Sequence, residues 1–143
     1  MQHSSWRRSA GQIREAIKAN PKSGPVVLVG HSLGAQAIGP LALELEKSDI
    51  TVDFLAPIDP AWQVTIPNNV KLAWHVRVSS EETEGLLKAE SGFRGKIVDF
   101  DVGEKENLKN ANINHFNIDK IEGVQDELIK QIVRQVRRRR RLR

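Results

Sequence analysis

Residues 26–37 read VVLVGHSLGAQA. Four branched apolar residues run directly into a serine set between glycines, and then into small helix formers. A continuous apolar run fits a strand buried on both faces, as in a parallel sheet. From Leu33 on, Ala35, Ala37, Leu41, Ala42, Leu43 and Leu45 fit a helix ending near Lys47. Few residues lie between the two, so the chain must turn sharply at Gly30-His31-Ser32-Leu33-Gly34. Such a turn carries a serine hydroxyl to the C-terminal end of a strand and aims a helix N-terminus at the same point.

The rest of the chain supplies further elements of the same kinds. Ser4 or Ser5 can cap a helix over residues 6–18, with Trp6, Ala10, Ile13 and Ile17 as its apolar stripe. The stretch NPKSGP at 20–25 ends it. Within the second helix, Gly39-Pro40 predicts a kink or a break. Strands are expected at 51–56, before Pro57-Ile58-Asp59-Pro60, at 70–78 and at 96–102. A loop over 61–69 and the segment 79–94 must then act as crossovers, with Leu86–Ala89 a short helix in the second. A last helix runs from Ile121 to about Val136, with Ile121, Val124, Leu128, Ile129, Ile132 and Val133 on one side. The pattern predicts an α/β class: a mainly parallel sheet of about four strands flanked by helices.

At 143 residues the chain fits one domain. Its formal charge of +4 is unevenly spread. Residues 134–143, RQVRRRRRLR, hold seven arginines, while residues 1–133 carry 15 basic against 18 acidic side chains. The expected division is a mildly acidic domain over 1–133 and a basic, disordered tail over 134–143. The tail offers non-specific attraction to nucleic acid, but no aromatic residue interleaves with its arginines to stack a base. Cysteine is absent, which excludes disulfides and thiolate catalysis. No apolar run approaches the roughly 20 residues of a membrane span. The start, MQHSSWRRSA, has no apolar signal core, so a cytoplasmic location is expected. Neither a metal cluster, a phosphate loop nor a dinucleotide fingerprint is present, so no cofactor and no metal are expected.

Gly30-His31-Ser32-Leu33-Gly34 matches G-x-S-x-G, which chance places in roughly 5% of chains of this length. Its position between a strand and a helix is rarer still. In that setting Ser32 is the expected nucleophile, and the Leu33 N–H an expected oxyanion donor. Gly30 and Gly34 are expected because larger side chains would clash as the turn closes. A serine hydroxyl needs a base to take its proton. His3 lies near the N-terminus, His31 lies within the turn with its side chain expected to point away from the serine, and His75 lies within a strand. His115 lies in an asparagine-rich loop, NANINH at 110–115, and is the expected base. The acid that orients it is Asp59, directly after a strand, or one of Glu81, Glu82 and Glu84 after the next. Asp119 is read as a cap for the last helix.

VVLVGHSLGAQA resembles the nucleophile elbow of the α/β-hydrolase superfamily. His3-Ser4-Ser5-Trp6, Ile58-Asp59-Pro60 and His115-Phe116-Asn117-Ile118-Asp119-Lys120 extend the resemblance to lipase- and thioesterase-like members, over about residues 3–133. It implies a serine hydrolase of small acyl esters or thioesters, working through an acyl-enzyme with Ser32, His115 and Asp59, in the superfamily order of nucleophile, acid, histidine. The chain departs from the pattern at its start. Members carry three or more strands before the elbow strand, and the segment that supplies a second oxyanion N–H. Here only one helix precedes, so the expected fold is a truncated α/β-hydrolase fold. Val26–Val29 would then be a sheet edge, open to pairing with a second copy of the chain. Two further readings stay open: a catalytically weak or inactive remnant serving as a binding or assembly module, and an anionic-polymer binder using the arginine tail.

Overall fold

The computed structural model describes residues 5–78, 83, 85–108 and 111–142. Helix α1 (Ser5–Ala19) precedes strand β1 (Val27–His31), helix α2 (Leu33–Glu46) and strand β2 (Phe54–Ile58). Strands β3 (Val64–Ile66), β4 (Leu72–Arg77), β5 (Leu87–Ala89) and β6 (Lys96–Asp101) follow, and then helix α3 (Glu122–Arg141). Four strands form one sheet in the order β1-β2-β4-β6, with every neighbouring pair parallel. The class is α/β, a mainly parallel four-stranded sheet flanked by three helices.

Successive residues of a strand point to opposite faces, so each face has its own core. Leu28, Leu55 and Ala73 pack with Ile38, Leu41 and Leu45 of α2, and Ile17 of α1 joins them. Phe54, Ala56, Ile58, Trp74, Val76 and Phe100 pack on the other face with Val124 and Leu128 of α3. Central strand β2 is buried at all five positions, whereas β1, whose apolar run predicts burial on both faces, buries only Leu28 because it stands at the sheet edge. On α1 the expected stripe holds only in part, since Ile13 is 45% exposed.

Parallel neighbours need crossovers, and α2 supplies only the first. The loop expected at 61–69 contains β3, and the short helix expected at Leu86–Ala89 is the strand β5. These two pair with each other in parallel, from Val64↔Leu87 to Ile66↔Ala89. Val64, Ile66 and Leu87 thereby enter the α2-side core, where a crossover helix would otherwise have covered the sheet. The close approach of α2 to β3 requires Gly39: a Cβ there would lie 2.9 Å from Val64 Cγ1 and 3.0 Å from the Thr65 carbonyl oxygen. α2 runs unbroken through Pro40, where a break was one of the two expected outcomes. The missing donor is outweighed by buried residues on both sides of it, including Ala37, Ile38, Leu41 and Leu45.

The arginine-rich segment is also corrected. Instead of a disordered tail from residue 134, α3 continues to Arg141. Its anchor is Asp53, fully buried just before β2. Arg139 Nε donates to Asp53 Oδ1 at 3.0 Å, and Gln135 Nε2 donates to the Asp53 carbonyl at 3.1 Å. The other carboxylate oxygen accepts the Val26 N–H at 3.0 Å. The carboxylate holds Val26 and Arg139 and the backbone carbonyl holds Gln135, so one residue fixes both the entry to β1 and the far end of α3. The helix therefore runs from the C-terminal edge of the sheet back to its N-terminal edge. Among the described residues no helix is long and apolar enough to cross a membrane.

Candidate active site

β1 ends at His31, and α2 begins two residues later at Leu33. A turn this tight forces Ser32 to φ 55°, ψ −115°, outside the regions that side chains ordinarily occupy. Such backbone strain costs of order 1–3 kcal/mol and persists only where neighbours over-determine it. Here the Ser32 N–H donates to the Ile58 carbonyl of β2 at 3.0 Å, and its carbonyl accepts the Gln36 N–H at 3.3 Å. The two glycines differ in role. A Cβ on Gly30 would collide with the Gly34 carbonyl and lie 2.8 Å from Ala35 N, whereas a Cβ on Gly34 meets nothing within 4 Å. The steric need expected at both positions therefore holds at Gly30 alone.

Asp59 follows β2 directly, with its N–H held by the Val76 carbonyl at 2.7 Å and φ at 43°. It is buried, and its Oδ2 lies 2.5 Å from His115 Nδ1. His115 Nε2 in turn lies 3.0 Å from Ser32 Oγ. An ionised carboxylate can only accept, so Nδ1 carries the hydrogen and the Nε2 lone pair faces the hydroxyl. That tautomer is able to receive the serine proton. Leu33 is the first residue of α2, directly after Ser32, so its N–H has no acceptor within the helix. The structure thus brings Ser32, His115, Asp59 and Leu33 together. Glu81, Glu82 and Glu84, the rival acids, lie outside the described residues, as does His3.

The asparagines explain how a loop holds His115 in place. The Asn117 side-chain oxygen accepts the Asn114 N–H at 2.7 Å, and the Asn114 side-chain oxygen accepts the Phe116 N–H at 2.9 Å. Asn117 Nδ2 reaches back to the Asn112 carbonyl at 3.1 Å. His31 adds a support that the sequence reading missed. Its Nε2 lies 2.7 Å from the His115 carbonyl oxygen, and the two rings approach to 5.2 Å. Its Nδ1 lies 3.6 Å from Asp119 Oδ2. Asp119 thus faces His31 rather than capping α3, whose first turn has no side-chain cap. Strand alternation carried the signal: Val27 and His31 share a face of β1, on which Val27 joins the α3-side core and His31 meets His115 and Asp119.

A second cluster stands beside Asp59 on the α2 face of the sheet. Arg77 Nε and Nη2 grip Asp99 at 2.8–3.0 Å, and Nη1 lies 3.2 Å from Asp101 Oδ2. His75 Nδ1 lies 3.2 Å from Asp99 Oδ1. Burial pushes the His75 imidazole below its ordinary range, against the pull of the Asp99 charge. The hydrogen bonds from Arg77 hold the Asp99 carboxyl below its own. The alternating charges of HVR in β4 and DFD in β6 foreshadowed this cluster, since register sets His75 against Asp99 and Arg77 against Asp101.

His115 is open to solvent, with 38% of its side chain exposed. Two large apolar side chains stand nearby in sequence to the site residues. Phe116, 81% exposed, meets the His115 ring edge-on at 5.4 Å. Trp62, 58% exposed, follows Asp59 by three residues, and its N–H donates to Gln36 Oε1 at 3.2 Å. Among the described residues no group of three or more histidine or acidic side chains is disposed to hold a metal ion. Comparison with family models, curated proteins and solved structures returns no match to this chain.

Proposed function

We propose that the chain is a serine hydrolase of the α/β-hydrolase kind, cleaving small acyl esters or thioesters through an acyl-enzyme. The observation that carries the reading is the hydrogen-bonded line Ser32–His115–Asp59, with its serine on a strained turn at the C-terminal end of β1. Ser32 Oγ attacks the acyl carbonyl as its proton passes to His115 Nε2. Asp59 stabilises the imidazolium and keeps it oriented. The Leu33 N–H, at the positive end of α2, faces the charge that develops on the carbonyl oxygen. His115 then returns the proton to the departing alcohol or thiol, and water repeats the sequence on the acyl-serine. Hydrolysis of p-nitrophenyl acetate tests this. Ser32→Ala should lower kcat by roughly 10⁴-fold or more, and Asp59→Asn by about 10⁴-fold, with both variants folded. A rate equal to wild type in folded Ser32→Ala refutes the assignment.

A second element of the proposal concerns partners. β1 is an edge strand, and Val29 on it is 43% exposed. Edges of this kind are templates for pairing, so we propose self-association through β1. Sedimentation should show a concentration-dependent dimer that Val29→Lys abolishes; a monomer at all concentrations contradicts it. The cytoplasmic location expected from the N-terminal sequence belongs to the same proposal and is tested by cell fractionation.

A further inference from the structure

The end of the sheet opposite Ser32 carries a feature that ester hydrolysis does not use. A cleft of about 590 Å³ opens between the C-terminal half of α3 and the N-terminal ends of β4 and β6. Six cationic side chains line it: Lys71, Arg94, Lys96, Arg134, Arg138 and Arg139. No carboxylate is among the lining residues. Arg139 is neutralised by Asp53. The other five have no acidic partner among the described residues, and all five are exposed.

The charges converge because rigid elements hold them there. Lys71 and Lys96 stand at the starts of neighbouring strands, and the Lys96 N–H donates to the Lys71 carbonyl at 3.0 Å. A Cβ on Gly95 would lie 2.5 Å from the Val70 carbonyl and 2.8 Å from that of Lys71, so glycine is required for the 94–96 segment to lie this close. The facing wall, Arg134 and Arg138, is held by the docking of α3 on Asp53. Five unneutralised cations held on two facing walls repel one another, and a multivalent anion between them removes that repulsion. Trp74 lies in the floor but is only 7% exposed and stacks on Phe100 at 5.1 Å, so no ring is presented to a nucleobase.

We propose that this cleft is a binding site for a compact oligophosphate anion, recognised through its phosphate groups by Arg134 and Arg138 on one side and Lys71, Arg94 and Lys96 on the other. Binding here is independent of the serine site. Calorimetric titration of the full chain with inorganic tripolyphosphate, at low and physiological salt, tests it. One tripolyphosphate per chain is expected. Arg134→Gln/Arg138→Gln and Arg94→Gln/Lys96→Gln should each weaken binding by about tenfold or more, as loss of charge-assisted hydrogen bonds requires. Arg137→Gln/Arg140→Gln removes the same charge from the same helix outside the cleft and should change affinity by less than about threefold. Circular dichroism and melting temperature confirm that each variant is folded. Ser32→Ala should bind as wild type does. The proposal is overturned by no saturable binding, by equal losses in the cleft and control variants, or by duplex DNA or phosphatidylserine vesicles binding more tightly than tripolyphosphate with the same residues required.

Discussion

Ser32 at φ 55° and Asp59 at φ 43° both sit where a side chain crowds its own backbone, and both belong to the hydrogen-bonded line at the sheet's C-terminal edge. The two glycines flanking the serine allow this turn to be dissected. Gly30→Ala drives a methyl into the backbone at Gly34 and Ala35, which the fully buried Ala35 side chain holds in place, and should lower stability by roughly 2–4 kcal/mol with loss of hydrolysis. Gly34→Ala places its methyl in open space on a helix and should leave stability unchanged or raise it by up to about 1 kcal/mol. Equal melting temperatures for the two variants would contradict this. The motif made the serine legible but gave both glycines the same weight. Only the path of the helix backbone over Gly30 separates them. His31's contact with His115 was hidden for a related reason: its face is evident from alternation, but its partners there, the His115 carbonyl and Asp119, come from a segment distant in sequence.

Among the elements, β1, α2, β2, β4 and β6 were legible because each carries its own apolar pattern. The short strands β3 and β5 were not. Three residues hold too little periodicity, and each strand exists because the other, distant in sequence, pairs with it. The helical arginine run was hidden for a different reason. Seven like charges in ten residues favour a solvated, unfolded end, and a single buried aspartate at the start of β2 overrides them. Removing the carboxylate strands the part-buried Arg139 guanidinium and the Val26 N–H, so Asp53→Ala should cost about 3 kcal/mol and fray α3 beyond Gln135, whose bond to the backbone carbonyl at 53 survives. Arg139→Gln should follow it in direction. Thermal melts and helix content by circular dichroism measure both effects; an unchanged melting temperature in Asp53→Ala would mean that the docking contributes nothing.

Across the whole molecule, the sheet separates its two ends by chemistry: a serine, a histidine and an acid at one, a cationic cleft at the other. Between them, the buried His75 ties folding to pH. Its folded proton affinity lies below the ordinary value of 6.5. Below pH 6.5 the unfolded chain therefore binds a proton that the folded chain refuses, and stability falls as pH falls, until the folded imidazole also protonates. Asp99, held below its ordinary 3.8 by Arg77, adds a second loss as pH falls through its folded value. His75→Gln should flatten the first decline in melting temperature between about pH 7 and 5; an identical slope in the variant would contradict the burial argument. The parallel α/β class and the serine turn were readable from residue patterns, whereas these networks depend on register between strands, which the sequence alone does not set. The account rests above all on Ser32 being a nucleophile activated by His115. Intact mass after treatment with a fluorophosphonate tests this most directly. One phosphonyl adduct on Ser32 in wild type, with none in Ser32→Ala and a strongly slowed reaction in His115→Ala, is the predicted result. Wild-type protein that stays unmodified, or Ser32→Ala labelled to the same extent, would contradict it.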